Sequence, residues 1–181
     1  MTRDEAIGWL DKHVTNKNLR KHMFAAEAVM RRLARELKED EEVWGLAGLL
    51  HDLDYDQTVK NFPRHGLVTA EMLKETDVPE EVIDAIKSHP GHFPRNSLLD
   101  QALYAVDPVT GLIVAAALMH PTKMLKNVDA DFILRRFKEK RFAAGADRDQ
   151  IASCAVFGFS LDRFITLSLE AMQDIDEVLG L

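Results

Sequence analysis

The chain has 181 residues, of which 46% are hydrophobic and 29% are charged, and its formal net charge is −7. These proportions are typical of a globular protein, so they exclude long disorder and predict one domain over residues 1–181. An acidic surface repels phosphates, which argues against long nucleic acid as a partner. The single cysteine, Cys154, excludes an intrachain disulfide and a site built from several thiolates.

The N-terminal residues lack the basic and apolar regions of a signal peptide. No apolar run in the sequence approaches the roughly 20 residues that a membrane span requires. We therefore expect a cytoplasmic protein with no membrane partner. The sequence does not indicate an oligomeric state.

Apolar residues recur at three- and four-residue steps almost throughout, whereas sustained two-residue alternation is missing. The pattern predicts an all-α fold. Residues 41–54 are apolar almost all round, which predicts the buried central helix of a bundle. Further helices are expected over residues 3–13, 17–38, 65–74, 79–89 and 148–156.

Residues that cap or interrupt helices divide the second half of the chain into predicted elements. Ser97 is a suitable N-cap for a helix, and Pro108 with Gly111 should bend or interrupt it before residues 112–120. Asp129 starts another helix, and Ser160 caps a final amphipathic one. We expect the helices within 129–179 to pack on a motif-bearing core at about 18–112.

One set of histidines and aspartates carries the chemistry of the chain, because each lies at or beside the end of a predicted helix. Its members are His22, His51, Asp52, His65, His89 and Asp107. Burying Asp52 without compensation after the most apolar helix would cost several kcal/mol, so a cation is its natural partner. Mixed imidazole and carboxylate ligands favour a transition metal over magnesium or calcium.

The pattern of a histidine, a later His-Asp pair and a distant aspartate resembles the HD superfamily of metal-dependent phosphohydrolases. The corresponding residues are His22, His51, Asp52 and Asp107, and the resemblance covers residues 18–112. It implies an HD-domain-like helical bundle that binds a divalent metal. Branches with two metals carry two more histidines, and residues 64–73 and 86–89 are similar to those segments.

The resemblance therefore implies two ions, with His65 and His89 as additional ligands and His92 as an alternative or a supplement to His89. Iron or manganese is favoured, while nickel, cobalt, zinc and magnesium remain open. Asp52 would bridge the ions and orient a water, with the ions about 3.5–4 Å apart. His92 is the first candidate for protonating the leaving group.

The residues after the His-Asp pair depart from two branches of the superfamily. Leu53-Asp54-Tyr55-Asp56 lacks the GYP signature of cyclic-di-GMP phosphodiesterases, and the lysine that often follows the pair in dinucleoside polyphosphate hydrolases is missing. The segment 107–111, which contains Pro108, indicates a separate subfamily. The exact substrate is therefore not implied.

Positive side chains near the pattern are candidates for phosphate contacts. Lys60, Arg64 and Lys123 are the first candidates, and Arg64 is the best placed because it directly precedes His65. Lys87 and Arg95 are further candidates, and the alternative for each of the five is a solvated surface charge. The basic run at 135–141 fits a solvent-exposed helix face better than a nucleotide site.

The sequence predicts hydrolysis of a phosphate ester or anhydride in a small molecule, in first place a nucleotide. Two alternatives remain open. One is a di-iron oxygenase on the same fold, which would use nearly the same ligands. The other is a regulatory module that binds a nucleotide without turnover, although the full ligand set argues against it.

Overall fold

A computed structural model describes residues 1–181, and no residue in it lies in a β-strand. The predicted all-α fold is confirmed. Eleven α-helices follow the chain order α1 Arg3–His13, α2 Lys17–Leu37, α3 Glu41–Leu50, α4 Tyr55–Thr58, α5 Leu67–Leu73, α6 Glu80–Ser88, α7 Leu98–Met119, α8 Ala130–Phe137, α9 Arg148–Ala152, α10 Leu161–Gln173 and α11 Asp176–Leu179. Short 3-10 helices lie at Phe62–Arg64, Leu125–Asn127 and Ser153–Phe157.

Helix α3 lies at the centre of the bundle, as its composition predicts. Every residue from Trp44 to Leu50 is buried, and the helix packs against α1, α2, α6 and α7. Its contact with α2 is especially close, because a Cβ on Gly48 would lie 2.7 Å from backbone atoms of Ala26 and Glu27. The glycine therefore permits the approach that sets α2 beside the end of α3.

The sequence suggested that α3 continues to Asp54, but the helix ends at Leu50. The reason is a tertiary contact. The backbone N–H of Asp54 donates to Thr69 Oγ1 at 3.1 Å, and Asp54 Oδ2 accepts from the Thr69 N–H at 2.9 Å. The Asp54 N–H thus bonds to α5 instead of to the Leu50 carbonyl, and residues 51–54 form a turn.

The expected interruption of α7 at Pro108 and Gly111 is wrong, because the helix runs unbroken from Leu98 to Met119. Proline at 108 removes the N–H that would bond to the Tyr104 carbonyl. Gln150 supplies the replacement, since its Nε2 donates to Tyr104 O at 2.7 Å. A side chain on α9 thus satisfies the backbone of α7.

Helix α7 is also long and apolar enough to cross a membrane by length and composition, with a mean hydropathy of 1.8 in its most apolar window. The expectation that no apolar run approaches this length is wrong for α7. In the structure 56% of that window is buried. Core helices meet the same criteria, and α7 packs against α2, α6 and α10.

The C-terminal helices pack on helices of the motif-bearing part of the chain. Helix α10 buries Phe164, Ile165 and Met172 and packs against α2, α7 and α8. Its N-cap is Ser160, whose hydroxyl accepts from the Arg163 N–H, and Ser97 and Asp129 cap α7 and α8 in the same way. One cluster of 46 buried residues forms the core.

Candidate metal centre

The six residues singled out in the sequence lie together at one end of α3. They form the His/Asp cluster, which consists of His22, His51, Asp52, His65, His89 and Asp107. Helix α2 contributes His22 and α7 contributes Asp107, while His51 and His89 are the C-caps of α3 and α6. His65 stands between the 3-10 helix Phe62–Arg64 and α5.

Asp52 is the centre of the cluster, since four histidines surround its buried carboxylate. Its Oδ2 lies 3.4 Å from His22 Nε2, and its Oδ1 lies 3.2 Å from His65 Nε2. His51 Nε2 and His89 Nε2 are each 3.5 Å from the same Oδ1. Asp107 completes the His22 side, with its Oδ1 3.2 Å from His22 Nε2.

The hydrogen bonds of the four imidazoles fix which nitrogen faces Asp52. His51 Nδ1 lies 2.8 Å from Gly48 O and His89 Nδ1 lies 2.6 Å from Ile86 O, and a carbonyl can only accept. His65 Nδ1 lies 2.7 Å from Asp54 Oδ1. Each Nδ1 is therefore a donor, which assigns the lone pair of each neutral ring to Nε2.

His22 follows the same rule through Thr110. The Thr110 hydroxyl donates to the Asp107 carbonyl at 2.9 Å, so it accepts from His22 Nδ1, which lies 2.8 Å away. All four Nε2 atoms thus point towards Asp52. Partners that hold the second ring nitrogen in this way are characteristic of histidines that bind metal.

The Nε2 atoms form two close pairs, His22 with His51 and His65 with His89, and each pair is separated by 3.1 Å. Two lone pairs at this distance repel unless a proton or a cation lies between them. Two nitrogens bound to one ion at about 2.1 Å and near a right angle are about 3 Å apart. The donor set therefore fits metal ions.

Without metal, protons on the histidines balance the negative charge of the aspartates in the cluster. Burial lowers the pKa of His22, but hydrogen bonds to Asp107 and Asp52 outweigh it and raise that pKa to about 10. For His65, burial is likewise outweighed by Asp52 and Asp54, which raise its pKa to about 9. Burial lowers the pKa of His51 to about 4. His22 and His65 thus each carry a proton at neutral pH.

Asp52 stays ionised despite its burial. Burial alone would raise its pKa, but two effects hold that pKa well below the usual range. One is the coulombic interaction with His51, which is protonated in the acidic range where Asp52 titrates, and the other is hydrogen bonding with His22, His65 and His89. The C-terminal ends of α3 and α6 add negative potential, because His51 and His89 cap them. The electrostatics of the site favour a cation.

The cluster opens into a pocket of about 670 Å³, which His22, Asp52, His65, His89 and Asp107 help to line. The rest of the wall is largely small or aromatic. It consists of Leu19, Tyr55, Phe62, Pro90, Pro108, Gly111, Ala115, Ala143, Gly145, Ala146 and Gln150. No lysine or arginine lines this pocket, so any anion in it must be balanced at the cluster.

The structure does not bring the predicted phosphate contacts into the pocket. Lys60 and Lys123 are exposed outside it, and Arg64 lines a different surface depression with Glu71 and Lys74. Arg64 is next to His65 in the sequence, but its side chain points elsewhere because the backbone turns at residues 62–64. Lys87 pairs with Asp84, and Arg95 stacks on Tyr104.

His92 also lies outside the pocket wall. Its Nε2 donates to the Phe62 carbonyl at 3.0 Å, and its ring packs edge-on against Phe62 at 5.2 Å between centroids. His89, not His92, has its Nε2 in the cluster. His92 therefore supports Phe62, and its role as proton donor stays a prediction.

Two polar residues of the site were not found from the sequence. Asp54 is completely buried and accepts from His65, and Thr110 orients His22. Asp54 could have been noticed, because it is a second carboxylate two positions after Asp52 in an apolar context. Thr110 gave no signal, since only the packing of α7 against α2 brings it to His22.

Comparison with known proteins identifies two relatives that share a name. Ribonuclease Y from Sulfurovum sp. (strain NBC37-1) is 26% identical over 164 residues, which is 89% of this chain and 32% of that protein. Ribonuclease Y from Desulfotalea psychrophila is 29% identical over 140 residues, 74% of this chain and 26% of that protein. The chain spans about a third or less of the length of these relatives, and no solved structure matches it significantly.

A family model described as the HD domain matches residues 19–117, more than half of the chain. All six residues of the His/Asp cluster lie within the matched segment, including the His51-Asp52 pair at the end of the central helix. From this match and the helical bundle around the cluster, we conclude that the chain belongs to the HD domain family of metal-dependent phosphohydrolases.

Proposed function

We propose that the chain hydrolyses a phosphate ester or anhydride of a small molecule with two divalent metal ions held by the His/Asp cluster. The observation that carries the proposal is the convergence of four imidazole Nε2 atoms on one buried carboxylate, with every Nδ1 already bonded. His22, His51, Asp52 and Asp107 would hold one ion. Asp52, His65 and His89 would hold the other.

Bound divalent ions supply a water of lowered pKa and neutralise charge on phosphoryl oxygens. The residues of the chain do the positioning. Asp52 turns Oδ2 towards His22 and Oδ1 towards the other three histidines of the cluster. Asp54, Gly48 and Ile86 hold the imidazoles at fixed angles. Asp107 is about one-third exposed and lines the pocket, where its carboxylate can accept a hydrogen bond from an incoming water.

The substrate side of the proposal rests on the pocket. A volume of about 670 Å³ accommodates a small organic phosphate. The two relatives named Ribonuclease Y suggest phosphodiester chemistry, and their name refers to RNA. Because the net charge is −7 and no lysine or arginine lines the pocket, we favour a small molecule over a long RNA strand.

The proposal is tested by phosphate release after reconstitution with manganese or iron, together with metal content per chain. Wild-type protein should bind two ions and release phosphate from at least one nucleotide. His65→Ala should lose about one ion and Asp52→Ala both, with activity falling in each. His120→Ala is the matched control, because this histidine bonds to Thr122 away from the cluster.

The outcomes separate the alternatives. Oxygen consumption with an organic substrate and no phosphate release would favour a di-iron oxygenase. Nucleotide binding without metal uptake or turnover would favour a regulatory module. Cleavage of single-stranded RNA in preference to every small phosphate would contradict the choice of substrate size.

A further inference from the structure

The mouth of the pocket carries two exposed aromatic rings that the catalytic proposal does not use. Ten large hydrophobic side chains of the chain are exposed, and among them only Tyr55 and Phe62 line the pocket. Tyr55 is 38% exposed and Phe62 is 50% exposed. Ligand pockets are lined predominantly by hydrophobic and aromatic side chains, so these two rings are candidates for ligand contacts.

Both rings are held in place by the His/Asp cluster itself. Tyr55 meets His65 edge to face, with ring centroids 5.3 Å apart and planes at 76°. Phe62 lies 5.5 Å from His65 with planes at 38°, and His92 supports it from another side. The Tyr55 hydroxyl makes no hydrogen bond within the protein, so it can donate to a ligand.

The charge of the pocket limits what else a ligand can carry. All its charged groups belong to the His/Asp cluster, and no lysine or arginine reaches the wall. One phosphoryl group can face the cations that the cluster is proposed to hold. Further phosphates would lie in the pocket without a positive partner, which is unfavourable in a partly desolvated space.

The remaining wall leaves room for a flat group. Gly111, Ala115, Ala143, Gly145 and Ala146 present little or no side chain to the pocket. A planar ring can therefore enter beside Tyr55 and Phe62 without displacing a bulky residue. Stacking on aromatic side chains tolerates any base, because every base has a π-face.

We propose that Tyr55 and Phe62 form a stacking site for the nucleobase of a nucleotide that presents a single phosphoryl group to the His/Asp cluster. This inference rests on the proposed function and names its substrate class. The two rings are specificity-determining residues and take no part in bond cleavage. The pocket accordingly selects nucleoside monophosphates over ring-free sugar phosphates and over nucleotides with a polyphosphate chain.

The test compares AMP with ribose 5-phosphate, because the two share the phosphorylated sugar and differ by the base. Binding is measured calorimetrically on the manganese-loaded chain with phosphonate analogues of both, in which carbon replaces the ester oxygen. Wild type should bind the AMP analogue more tightly. Phe62→Leu and, separately, Tyr55→Leu should lower the ratio of the two affinities at least about fivefold.

Phe93→Leu is the control, since Phe93 is 43% exposed but lies outside this pocket, and it should keep the wild-type ratio. Equal affinity of wild type for both analogues would overturn the stacking site, as would equal losses in Phe62→Leu and Phe93→Leu. Binding of ATP as tight as that of the AMP analogue, with manganese in excess, would overturn the single-phosphoryl limit. Because binding is read without turnover, absent hydrolysis would count against the proposed function and not against this site.

Discussion

Asp54 is the residue that orients His65. It is completely buried, its Oδ1 accepts from His65 Nδ1, and its Oδ2 accepts from the backbone of α5. Burial raises the pKa of Asp54, but the bonds from His65 and Thr69 outweigh it and keep that pKa below its usual value. An ionised carboxylate in this position makes the imidazole a stronger ligand.

We therefore predict that Asp54→Asn weakens the ion at His65 and His89 about 10- to 100-fold, because a neutral amide is a poorer acceptor for the imidazole N–H. Metal titration of the apo-protein measures the effect. Asp56→Asn serves as the control, since Asp56 lies two positions later and is exposed. Equal affinities for both variants and wild type would show that Asp54 does not support the metal.

The raised pKa values of His22 and His65 predict that metal uptake depends on pH. Both rings carry a proton in the metal-free protein up to about pH 10 and 9 respectively, and an ion must displace it. Filling both positions at pH 7 should release about two protons per chain. Apparent affinity should rise roughly tenfold per pH unit and per displaced proton until those values are reached.

The raised pKa values of His22 and His65 also determine how the stability of the metal-free protein changes with pH. A folded-state pKa above the ordinary value of 6.5 stabilises the metal-free fold below about pH 6.5, and this contribution is lost as pH rises through 9 and 10. Calorimetric titration in buffers of different ionisation enthalpy counts the protons. Metal uptake without proton release would contradict the assignment of these two rings.

At the scale of the elements, the approach of α2 to α3 determines the distance between His22 and His51. Gly48 makes this approach possible, and a methyl group there would meet backbone atoms that no rotamer change can move. Gly48→Ala should destabilise the fold by about 1–3 kcal/mol through overpacking. It should also weaken the ion at His22 and His51 more than the ion at His65 and His89.

Thermal unfolding and metal titration check this prediction, and Gly8→Ala is the control. Gly8 lies in α1 with open space around its Cβ position, so alanine should be neutral or stabilising there. If the two alanine variants unfolded at the same temperature, the close approach of the helices would not be a constraint.

Helix boundaries followed from local chemistry wherever a cap marked them. Ser97, Asp129 and Ser160 each accept a backbone N–H at the start of the predicted helix. The interruption predicted at Pro108 was wrong because its compensation is not local. Gln150 is 46 positions from Tyr104 in the sequence. No local pattern around Pro108 indicates that the Gln150 side chain bonds to the Tyr104 carbonyl.

Some features of the site could be predicted from the sequence, while others depend on tertiary packing. The His51-Asp52 pair at the end of an apolar helix, with histidines at other helix ends, was sufficient to predict that the cluster forms. The directions of Arg64 and His92 were not predictable, since a turn at residues 62–64 separates neighbours in the sequence from neighbours in space.

At the scale of the whole molecule, the His/Asp cluster joins segments that are far apart along the chain. It connects α2, α3 and α7 with the turns that follow α4 and α6. Ions bound there would link all five segments and stabilise only the folded state. At a free concentration 100 times its dissociation constant, one ion adds about 2.7 kcal/mol.

For a chain of 181 residues this corresponds to a rise in melting temperature of about 5–11 °C per ion. We predict that a chelator lowers the melting temperature of the manganese-loaded protein by at least this amount, and that Asp52→Ala shows no such shift. Calorimetry of wild type and variant with and without chelator provides the measurement. Equal shifts in both would place the stabilising ions elsewhere.

In the proposed site the buried carboxylate of Asp52 lies between two divalent ions. Anomalous diffraction from crystals of the manganese-loaded protein tests it most directly. We predict two anomalous peaks about 3.5–4 Å apart on either side of Asp52, one at His22, His51 and Asp107 and the other at His65 and His89. A single peak, or peaks away from Asp52 in fully loaded crystals, would contradict it.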